Sequence, residues 1–341
     1  MNRRQLLRGA ALLTAGLALP RCGGSSGDSF NPDAPFDHSI AVGPAERVGA
    51  AIDGFHFPHF AWDGPLLRGW FIDHTDGSEN DVGYVTSSDG VTFAFCGKVL
   101  LKGEWYDRLQ ASFPAVAQVD GTWHMLYEGK AAVEDINSVC WATSSDGTTW
   151  EKRGPAIRPD DDPSRLLMPG VPTPGADYAD VDVGTPTLYH DGSRWHVWYH
   201  MTKREPWSVR IGYATGQRLD ALTCQPTPFL DLIEAWESGT VGARSSVVKV
   251  GNWYYMAYEW ATALPVTPER SPRFESSWWG TSILRSAYID RGWKRWSGNP
   301  LLENPTLGFG YDGPELLVEG DRLYLYYRGE NNTTWRVRLT F

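Results

Sequence analysis

Cysteine is scarce in this sequence. The 341 residues include four, Cys22, Cys96, Cys140 and Cys224. The last three are odd in number and lie far apart on strand-like segments, so they allow at most one disulfide and do not form the close cluster that a metal site needs. We therefore predict that they are buried as small apolar side chains and that the protein has no metal and no cofactor.

Long apolar runs are also scarce. The one run of note lies in residues 1–22, where a basic start precedes LLRGAALLTAGLAL, a segment of signal-peptide length. No later apolar run is long enough to span a bilayer. Residues 1–22 are thus predicted to be an export signal, and the mature protein is expected in the periplasm, at the cell surface or outside the cell.

The N-terminal residues leave two questions open. The residues Asn2–Leu7 (NRRQLL) resemble a twin-arginine signal, and an ordinary Sec signal with two arginines is the alternative. Cys22 is followed by GGSSGDS, as at a lipoprotein junction, but the preceding LPR differs from the usual small residues, so cleavage without a lipid is the alternative. Any membrane attachment would be through this lipid alone. Residues 23–38 are predicted to be a flexible linker.

Positive charge is in deficit. The formal net charge is −10, although the charged residues of the export signal are all arginines, so the mature chain is more acidic still. An acidic surface repels phosphate backbones and anionic lipid. The composition therefore disfavours nucleic acid as a partner and favours a neutral ligand.

Turn-joined strand pairs are abundant. In residues 105–129, WYDRLQASFPAVAQVDGTWHMLYEG, two apolar and β-branched runs flank an Asp-Gly turn, which is a strong hairpin signal. The same pattern returns around four other glycines, and the five turn glycines lie 57 to 71 residues apart. Those glycines are Gly64, Gly121, Gly192, Gly251 and Gly320.

Five such repeats predict an all-β, five-bladed β-propeller over residues 39–341. A third strand follows each hairpin, and an outer strand can be read in blades one, two and four. The fifth repeat ends at Phe341 without an outer strand. Because an open edge is exposed to aggregation, we expect the N-terminal segment 39–44 (SIAVGP) to supply that strand and close the ring.

The repeats carry a family resemblance. The segments VGYVTSSDGVTF, CWATSSDGTTWEKRG and DVGTPTLYHDGSRWHVWYH resemble the five-bladed propeller glycosidases of the arabinanase, levansucrase and invertase superfamily, which includes glycoside hydrolase families 43, 32, 117 and 130. The resemblance covers residues 39–341. It implies an exported, monomeric glycoside hydrolase that cleaves a furanoside or pentose-containing glycan, with paired carboxylates in the central funnel and an oligo- or polysaccharide as its partner.

Catalytic carboxylates are expected just before the innermost strands, as the resemblance implies, because glycoside hydrolysis needs an acid and a base across the bond. The candidates are Asp53, Asp107, Asp182 and Glu237. Asp107 and Glu237 precede their turn glycines by the same distance, which predicts equivalent positions facing the funnel. Glu237, beside tryptophans, is the expected proton donor, Asp53 the expected base, and Asp107 orients the sugar or tunes the acid.

The match to family 43 is incomplete. Its resemblance places a base Asp in blade one, a tuning Asp in blade two and an acid Glu in blade three, yet the usual Asp-Pro reads Phe57-Pro58 and Phe113-Pro114 here. Blade three has Asp182 or Asp180 where the family has its acid Glu. We therefore assign the role of the acid to Glu237 of blade four instead. Other side chains at the strand mouths are candidates for sugar binding, with packing or capping as the alternative: His56, His59, Asp180, Arg244, Trp278, Trp279, Asp312 and Glu315.

Three functions remain open from the sequence. A non-catalytic carbohydrate-binding propeller would need the aromatic residues but not the acids. A glycoside phosphorylase would need a basic cluster for phosphate, and Arg244 is the single basic residue that the sequence places at a strand mouth. The acidic run of residues 160–162 could bind Ca²⁺, but a solvated acidic loop is the favoured interpretation. The hydrolase is therefore the first hypothesis.

Overall fold

The computed structural model describes residues 30–50, 55–73, 80–131, 137–159, 171, 173–174, 179, 182–203, 207–262, 278–304, 306, 310–329 and 333–341. Asp53, Asp180 and the acidic run 160–162 lie outside these ranges. Within them the regular secondary structure is β-strand apart from short 3₁₀ turns, and no helix is long and apolar enough to cross a membrane.

The strands form five antiparallel groups, which we call blades one to five. Blade one contains β4 (His56–Asp63), β5 (Leu66–Asp73), β6 (Asp81–Ser87) and β7 (Thr92–Leu100). Blade two contains β8 (Gln110–Val119), β9 (Thr122–Lys130), β10 (Asn137–Ser144) and β11 (Glu151–Ile157). The short β3 (Gly49–Ala50) runs parallel to β7.

Blades three to five repeat the arrangement. Blade three contains β12 (Asp182–His190), β13 (Trp195–Lys203), β14 (Ser208–Gly216) and β15 (Thr223–Cys224). Blade four contains β16 (Thr240–Val250), β17 (Trp253–Ala261), β18 (Trp279–Ser286), β19 (Lys294–Arg295) and β20 (Leu302–Glu303). Blade five contains β21 (Asp312–Glu319), β22 (Arg322–Arg328) and β23 (Thr334–Thr340). Short 3₁₀ turns lie at Leu219–Ala221 and Ala235–Glu237. One parallel bridge joins β14 to β16.

The first strand of each blade is the innermost. Strand β4 packs against β8, β8 against β12, β12 against β16, β16 against β21, and β21 against β4. The five innermost strands therefore surround a common axis, as the sequence predicted for an all-β propeller.

A β-bulge interrupts every innermost strand near its start. The bulge begins at a residue of positive φ, at Phe57, Phe113, Thr185, Gly242 and Gly313, and proline follows in four of the five. A bulge re-aims the side chains next to it. We call the end of the axis that carries these bulges the bulge end, and the end that carries the hairpin turns the turn end.

The Ser-Ser-Asp-Gly loops after the third strands connect neighbouring blades. The Asp146 carboxylate accepts N–H bonds from Thr148 and Thr149, each 2.7 Å long, and so fixes the loop. The Gly147 carbonyl is then oriented to accept a 2.9 Å bond from the indole N–H of Trp70 in blade one. The motif that carried the family resemblance is thus a contact between blades.

The N-terminal segment occupies the outer position of blade five. Strands β1 (Ala41–Val42) and β2 (Glu46–Arg47) both pair antiparallel with β23. Of the segment 23–38, predicted to be a linker, residues 30–38 are described, and they contact blade four. Phe36 is buried against Tyr255 of blade four, and the Arg285 guanidinium lies 4.6 Å from its ring. Burial of this aromatic ring holds the segment to the blade.

Buried apolar side chains fill the spaces between blades. Leu126 of blade two, for example, shares a core cluster with Val183 and Val197 of blade three. The cysteines only partly follow the prediction, since Cys140 is buried but Cys96 is exposed, and all three described cysteines are free thiols. The site at the bulge end is therefore built on packed, mutually supporting blades.

Candidate active site

Asp107, predicted to face the funnel, is buried within its own blade. Its Oδ1 accepts N–H bonds from Gly103 and Glu104 at 3.0 and 2.8 Å. Its Oδ2 accepts the Tyr127 hydroxyl at 2.9 Å and pairs with the Lys152 ammonium at 2.6 Å. The side chain has no exposed surface. Because these partners belong to the same loop, the second strand and the outer strand of blade two, Asp107 ties the blade together.

Glu237 makes the same set of contacts in blade four. Its Oε2 accepts N–H bonds from Ile233 and Glu234, both 3.2 Å long, and pairs with Arg295 at 2.8 Å. Its Oε1 accepts the Tyr258 hydroxyl at 2.6 Å. The two acids are equivalent, as their spacing predicted, but the equivalence is structural. Neither reaches the channel, because each pairs with a cation on the outer side of its own blade.

A different pair of acids reaches across the bulge end. Glu128 and Glu259 directly follow the tyrosines that contact Asp107 and Glu237. The Glu128 Oε2 accepts the N–H of Thr185 at 2.8 Å, and the Glu259 Oε2 accepts the N–H of Gly313 at 2.9 Å. Each donor N–H belongs to the bulge of the next blade. Adjacent side chains along a strand point to opposite faces of the sheet. Each tyrosine therefore contacts the acid of its own blade, and the glutamate that follows it accepts a hydrogen bond from the next blade.

Glu128 belongs to a cluster with His200 and Asp182. The His200 Nε2 and the Asp182 Oδ1 form a short hydrogen bond, and Thr185 Oγ1 lies 2.7 Å from His200 Nδ1. Burial alone would lower the pKa of His200, but the Asp182 carboxylate outweighs burial and raises it. Burial raises the pKa of Glu128, and the nearby His200 partly offsets that rise. The arrangement favours an imidazolium held between carboxyl groups.

Glu259 belongs to a second cluster, with Asp312 and Arg328. Burial, and then the charge of Asp312, raise the pKa of Glu259 to about 8, against the lowering effect of the Gly313 N–H bond. Arg328 binds both oxygens of Asp312, its Nε donating at 2.8 Å. Arg328 also lowers the pKa of Glu259, but burial and Asp312 outweigh it, so the protonated form of this carboxyl is favoured at neutral pH.

The two clusters share one electrostatic environment. Glu259 is among the groups that raise the pKa of His200, although the two residues come from blades four and three. The bulge end therefore carries two predicted site residues, Asp182 and Asp312, each in a cluster with residues that the sequence did not predict: Glu128 and His200 beside Asp182, and Glu259 beside Asp312.

A third group connects blades four, five and one. Glu315 Oε1 lies 3.1 Å from His59 Nδ1, and Glu315 Oε2 lies 3.7 Å from Arg244 Nη2. Arg244 is 1% exposed, and its Nε and Nη1 have no hydrogen-bond partner among the described residues. Burial lowers the pKa of this guanidinium. Both His59 and Arg244, predicted to bind sugar hydroxyls, thus lie at the bulge end beside a carboxylate.

Phe57 and Phe113 occupy the bulge positions where the family resemblance implied acids. Their rings pack 5.0 Å apart, and the Arg328 guanidinium lies 4.8 Å from the Phe57 ring centre. A Cβ placed on Gly313 would lie 2.6 Å from Phe57 Cδ1. The Phe57 ring therefore packs directly on the bulge whose N–H holds Glu259, and it helps to keep that acid out of water.

The remaining candidates have simpler positions. His56 is the first residue of β4, opposite Ile72 at the bulge. Trp279 is buried in β18 and packs the blade, whereas Trp278 is 38% exposed and available for contact. In the described part of the protein, no three His, Cys, Asp or Glu side chains are placed to hold a metal ion.

One sequence signal could have found the missed acids. The dipeptide Tyr-Glu lies near the end of the second strand of blades two and four, as Tyr127-Glu128 and Tyr258-Glu259. His200 follows Tyr199 at the matching place in blade three. A polar residue at the same place in successive repeats faces the same neighbour, so the repeat itself marks this ring of side chains.

No protein-family model matches the sequence, and no curated protein matches it. Solved structures do. A complex of BT0996 with RGII has a TM-score of 0.62 at 18% identity, covering 88% of this protein and 92% of that one. An exo-1,5-α-L-arabinanase from a bovine ruminal metagenomic library has a TM-score of 0.57 at 14% identity, covering 84% and 94%.

A third similar structure is the arabinanase Arb43A of Bacillus subtilis, with a TM-score of 0.56 at 13% identity, covering 88% of this protein and 97% of that one. At these identities the likeness establishes the fold. The protein has the β-propeller fold found in family 43 arabinanases and related glycoside hydrolases, as the sequence resemblance predicted. Fold alone does not assign activity.

Proposed function

We infer that the protein is a glycoside hydrolase whose proton donor is Glu259 and whose base is Asp182. The inference rests first on one observation: Glu259 is a buried carboxyl whose pKa is raised to about 8. A general acid must be protonated before it can assist a leaving group, and a raised pKa supplies that state at neutral pH. The proposal takes Glu259 in place of Glu237 as the proton donor, and Asp182 in place of Asp53, which lies outside the described residues, as the base.

Asp182 has the complementary environment. Both His200 and Thr202 form hydrogen bonds with its Oδ1, and the side chain is 16% exposed. A base that activates water must be open to water, and Asp182 combines a partly exposed side chain with a fixed position beside His200. Because Asp182 was also among the sequence candidates, this assignment keeps one of the four predicted catalytic residues.

The proposed reaction uses one proton donor and one proton acceptor. Glu259 gives its proton to the glycosidic oxygen as the bond to the anomeric carbon breaks, and a water attacks that carbon while its proton passes to Asp182. The two acids then exchange protons with solvent to restore the starting state. The acids come from blades three and four, and direct attack by water predicts inversion at the anomeric carbon.

The substrate proposed is a neutral furanoside or pentose-containing glycan outside the cytoplasm. Support comes from the acidic net charge, from the export signal predicted by the sequence, and from solved structures of similar fold that are named as an arabinanase and an endo-1,4-β-xylanase. The phosphorylase hypothesis needs a basic cluster for phosphate. At the bulge end Arg328 is paired with Asp312, and Arg244 lies beside Glu315, so the two guanidinium groups are each accompanied by a carboxylate.

A non-catalytic carbohydrate-binding propeller is the second candidate, favoured by the phenylalanines at positions 57 and 113. The two candidates are separated by assaying the purified mature protein on aryl glycosides, arabinan and xylan, together with Glu259→Gln and Asp182→Asn. Loss of a general acid or base costs on the order of a hundredfold to ten-thousandfold in rate.

Glu319→Gln is the matched control, because it makes the same change at a carboxyl that ends β21 at the turn end, away from both tested acids. We expect this control to keep full activity. Saccharide binding by wild type without any release of sugar would establish the second candidate instead, and full activity of Glu259→Gln on a substrate with a poor leaving group would refute the assignment of the acid.

A further inference from the structure

We propose that the turn end carries a second saccharide site, between blades two and three, that binds a neutral sugar ring without cleaving it. The site is a cavity of about 530 Å³ on the opposite end of the molecule from the acids described above. That volume lies within the range of small-ligand pockets. The residues that matter to its chemistry are Asp120, Thr122, His124, Trp141, His190 and Gln217.

Two uncharged histidines form one wall. The rings of His124 and His190 both pack against the ring of Trp195, with centroid distances of 4.8 and 4.6 Å. Burial lowers the pKa of both imidazoles, so both are neutral at physiological pH. A neutral imidazole offers one donor and one acceptor, which is the pairing that a sugar hydroxyl needs.

The tautomers leave hydrogen-bonding capacity in the cavity. The His190 Nδ1 accepts the N–H of Gly192 at 3.3 Å, so its Nε2 carries the hydrogen and is a donor. The His124 Nδ1 is buried and has no hydrogen-bond partner within the described ranges. This Nδ1 has no exposed surface, so the hydrogen-bonding groups that the cavity presents to a ligand are those of His190 and of the exposed Gln217.

The rest of the lining disfavours anionic ligands. Arg218 is paired with Asp220, which neutralises both, and Asp120 is left as an acid at the rim. Trp141 is partly exposed and offers an apolar ring. An aromatic face beside neutral donors and acceptors fits an amphipathic sugar ring, which presents C–H groups on one face and hydroxyls around its edge.

The test uses affinity electrophoresis in native gels containing linear arabinan, xylan or polygalacturonate. The Glu259→Gln background prevents degradation of the polymers, and Thr122→Arg blocks the cavity from an exposed position that does not touch the core. Thr149→Arg is the matched control, because Thr149 is exposed on blade two but does not line the cavity.

We expect a neutral polymer to retard the protein, and we expect Thr122→Arg to weaken that binding at least about tenfold, a loss of about 1.4 kcal/mol. Thr149→Arg should not weaken it, and turnover of a small aryl glycoside by Thr122→Arg in the wild-type background should be unchanged. Unaltered binding by Thr122→Arg, no retardation by either neutral polymer, or preference for polygalacturonate would overturn the proposal. A wild-type protein that binds through this cavity yet hydrolyses nothing would instead refute the proposed function alone.

Discussion

Glu259 of blade four and Gly313 of blade five are joined by a hydrogen bond, in which the Gly313 N–H donates to the Glu259 Oε2 at 2.9 Å. Glu128 and Thr185 are joined in the same way between blades two and three, at 2.8 Å. A backbone N–H at a bulge has lost its partner in the strand ladder, so it is available to an acid from the neighbouring blade. The bulges thus position the acids, and the acids in turn accept hydrogen bonds from the bulge N–H groups.

The first prediction concerns pH. Glu259 must be protonated to act, and its pKa of about 8 means that the acid form is lost as the pH rises above that value. We expect kcat/KM to fall on the alkaline side with a midpoint near pH 8. Asp312→Asn should move this fall to lower pH, because the charge of Asp312 raises the pKa of Glu259.

A pH profile between 5 and 10 on one aryl glycoside measures this effect. Glu319→Gln is again the control and should retain the wild-type midpoint. If Asp312→Asn remains folded and its alkaline midpoint does not move, Glu259 is not the group whose protonation limits the rate.

The second prediction concerns the close approach of Glu128 to Gly184. A Cβ at position 184 would lie 2.1 Å from the Glu128 Oε2, inside any allowed contact. We expect Gly184→Ala to displace the carboxylate, to lower the free energy of unfolding by roughly 1–3 kcal/mol and to reduce activity. Gly49→Ala is the control, because nothing lies within 4 Å of its added Cβ. Equal stability of the two variants in urea unfolding would contradict the packing described.

The third prediction separates structure from catalysis at Asp107. Asp107→Asn removes the charge that pairs with Lys152, and breaking a buried pair by removing one partner costs about 3–5 kcal/mol. We expect a much lower unfolding midpoint, while the folded protein at low temperature keeps a kcat within a few-fold of wild type. A stable Asp107→Asn protein that has lost its activity would restore the sequence-based assignment of this residue to the funnel.

The fourth prediction concerns the N-terminal segment. Deleting residues 23–45 removes Phe36 from its place against blade four and β1 from its pairing with β23. Because an unpaired outer edge and an uncovered core face both disfavour folding, we expect the deletion to abolish the cooperative melting transition. Deleting residues 23–29 alone should leave the melting curve close to that of the full mature protein. An unchanged melting curve after the longer deletion would count against closure by this segment.

The fifth prediction concerns export. If the pair Arg3 and Arg4 is read as a twin-arginine signal, replacing both with lysine should leave precursor in the cytoplasm, because that pathway recognises the arginines and not their charge. Cell fractionation followed by immunoblotting measures the outcome. Normal export of the double-lysine variant would show that an ordinary signal is used.

The sequence by itself determined the repeat, the strand order and the hairpin turns. These features are local: the Asp120-Gly121 turn, for example, adopts positive φ at both residues, as a tight hairpin requires. The equivalence of Asp107 and Glu237 was also readable, because both acids stand at one distance from a turn glycine. Even the N-terminal pairing with β23 followed from a missing strand in the fifth repeat.

Only the tertiary structure decided which acids reach the axis. Asp107 and Glu237 precede the innermost strands, yet each pairs with a cation and a tyrosine of its own blade. Glu128 and Glu259, near the ends of their second strands, instead accept a hydrogen bond from the next blade. That choice depends on the direction of a side chain across the sheet and on the neighbour that it meets. The pKa of Glu259 depends in turn on burial and on Asp312, fifty-three positions further along the sequence, and no local pattern in the sequence encodes such a contact.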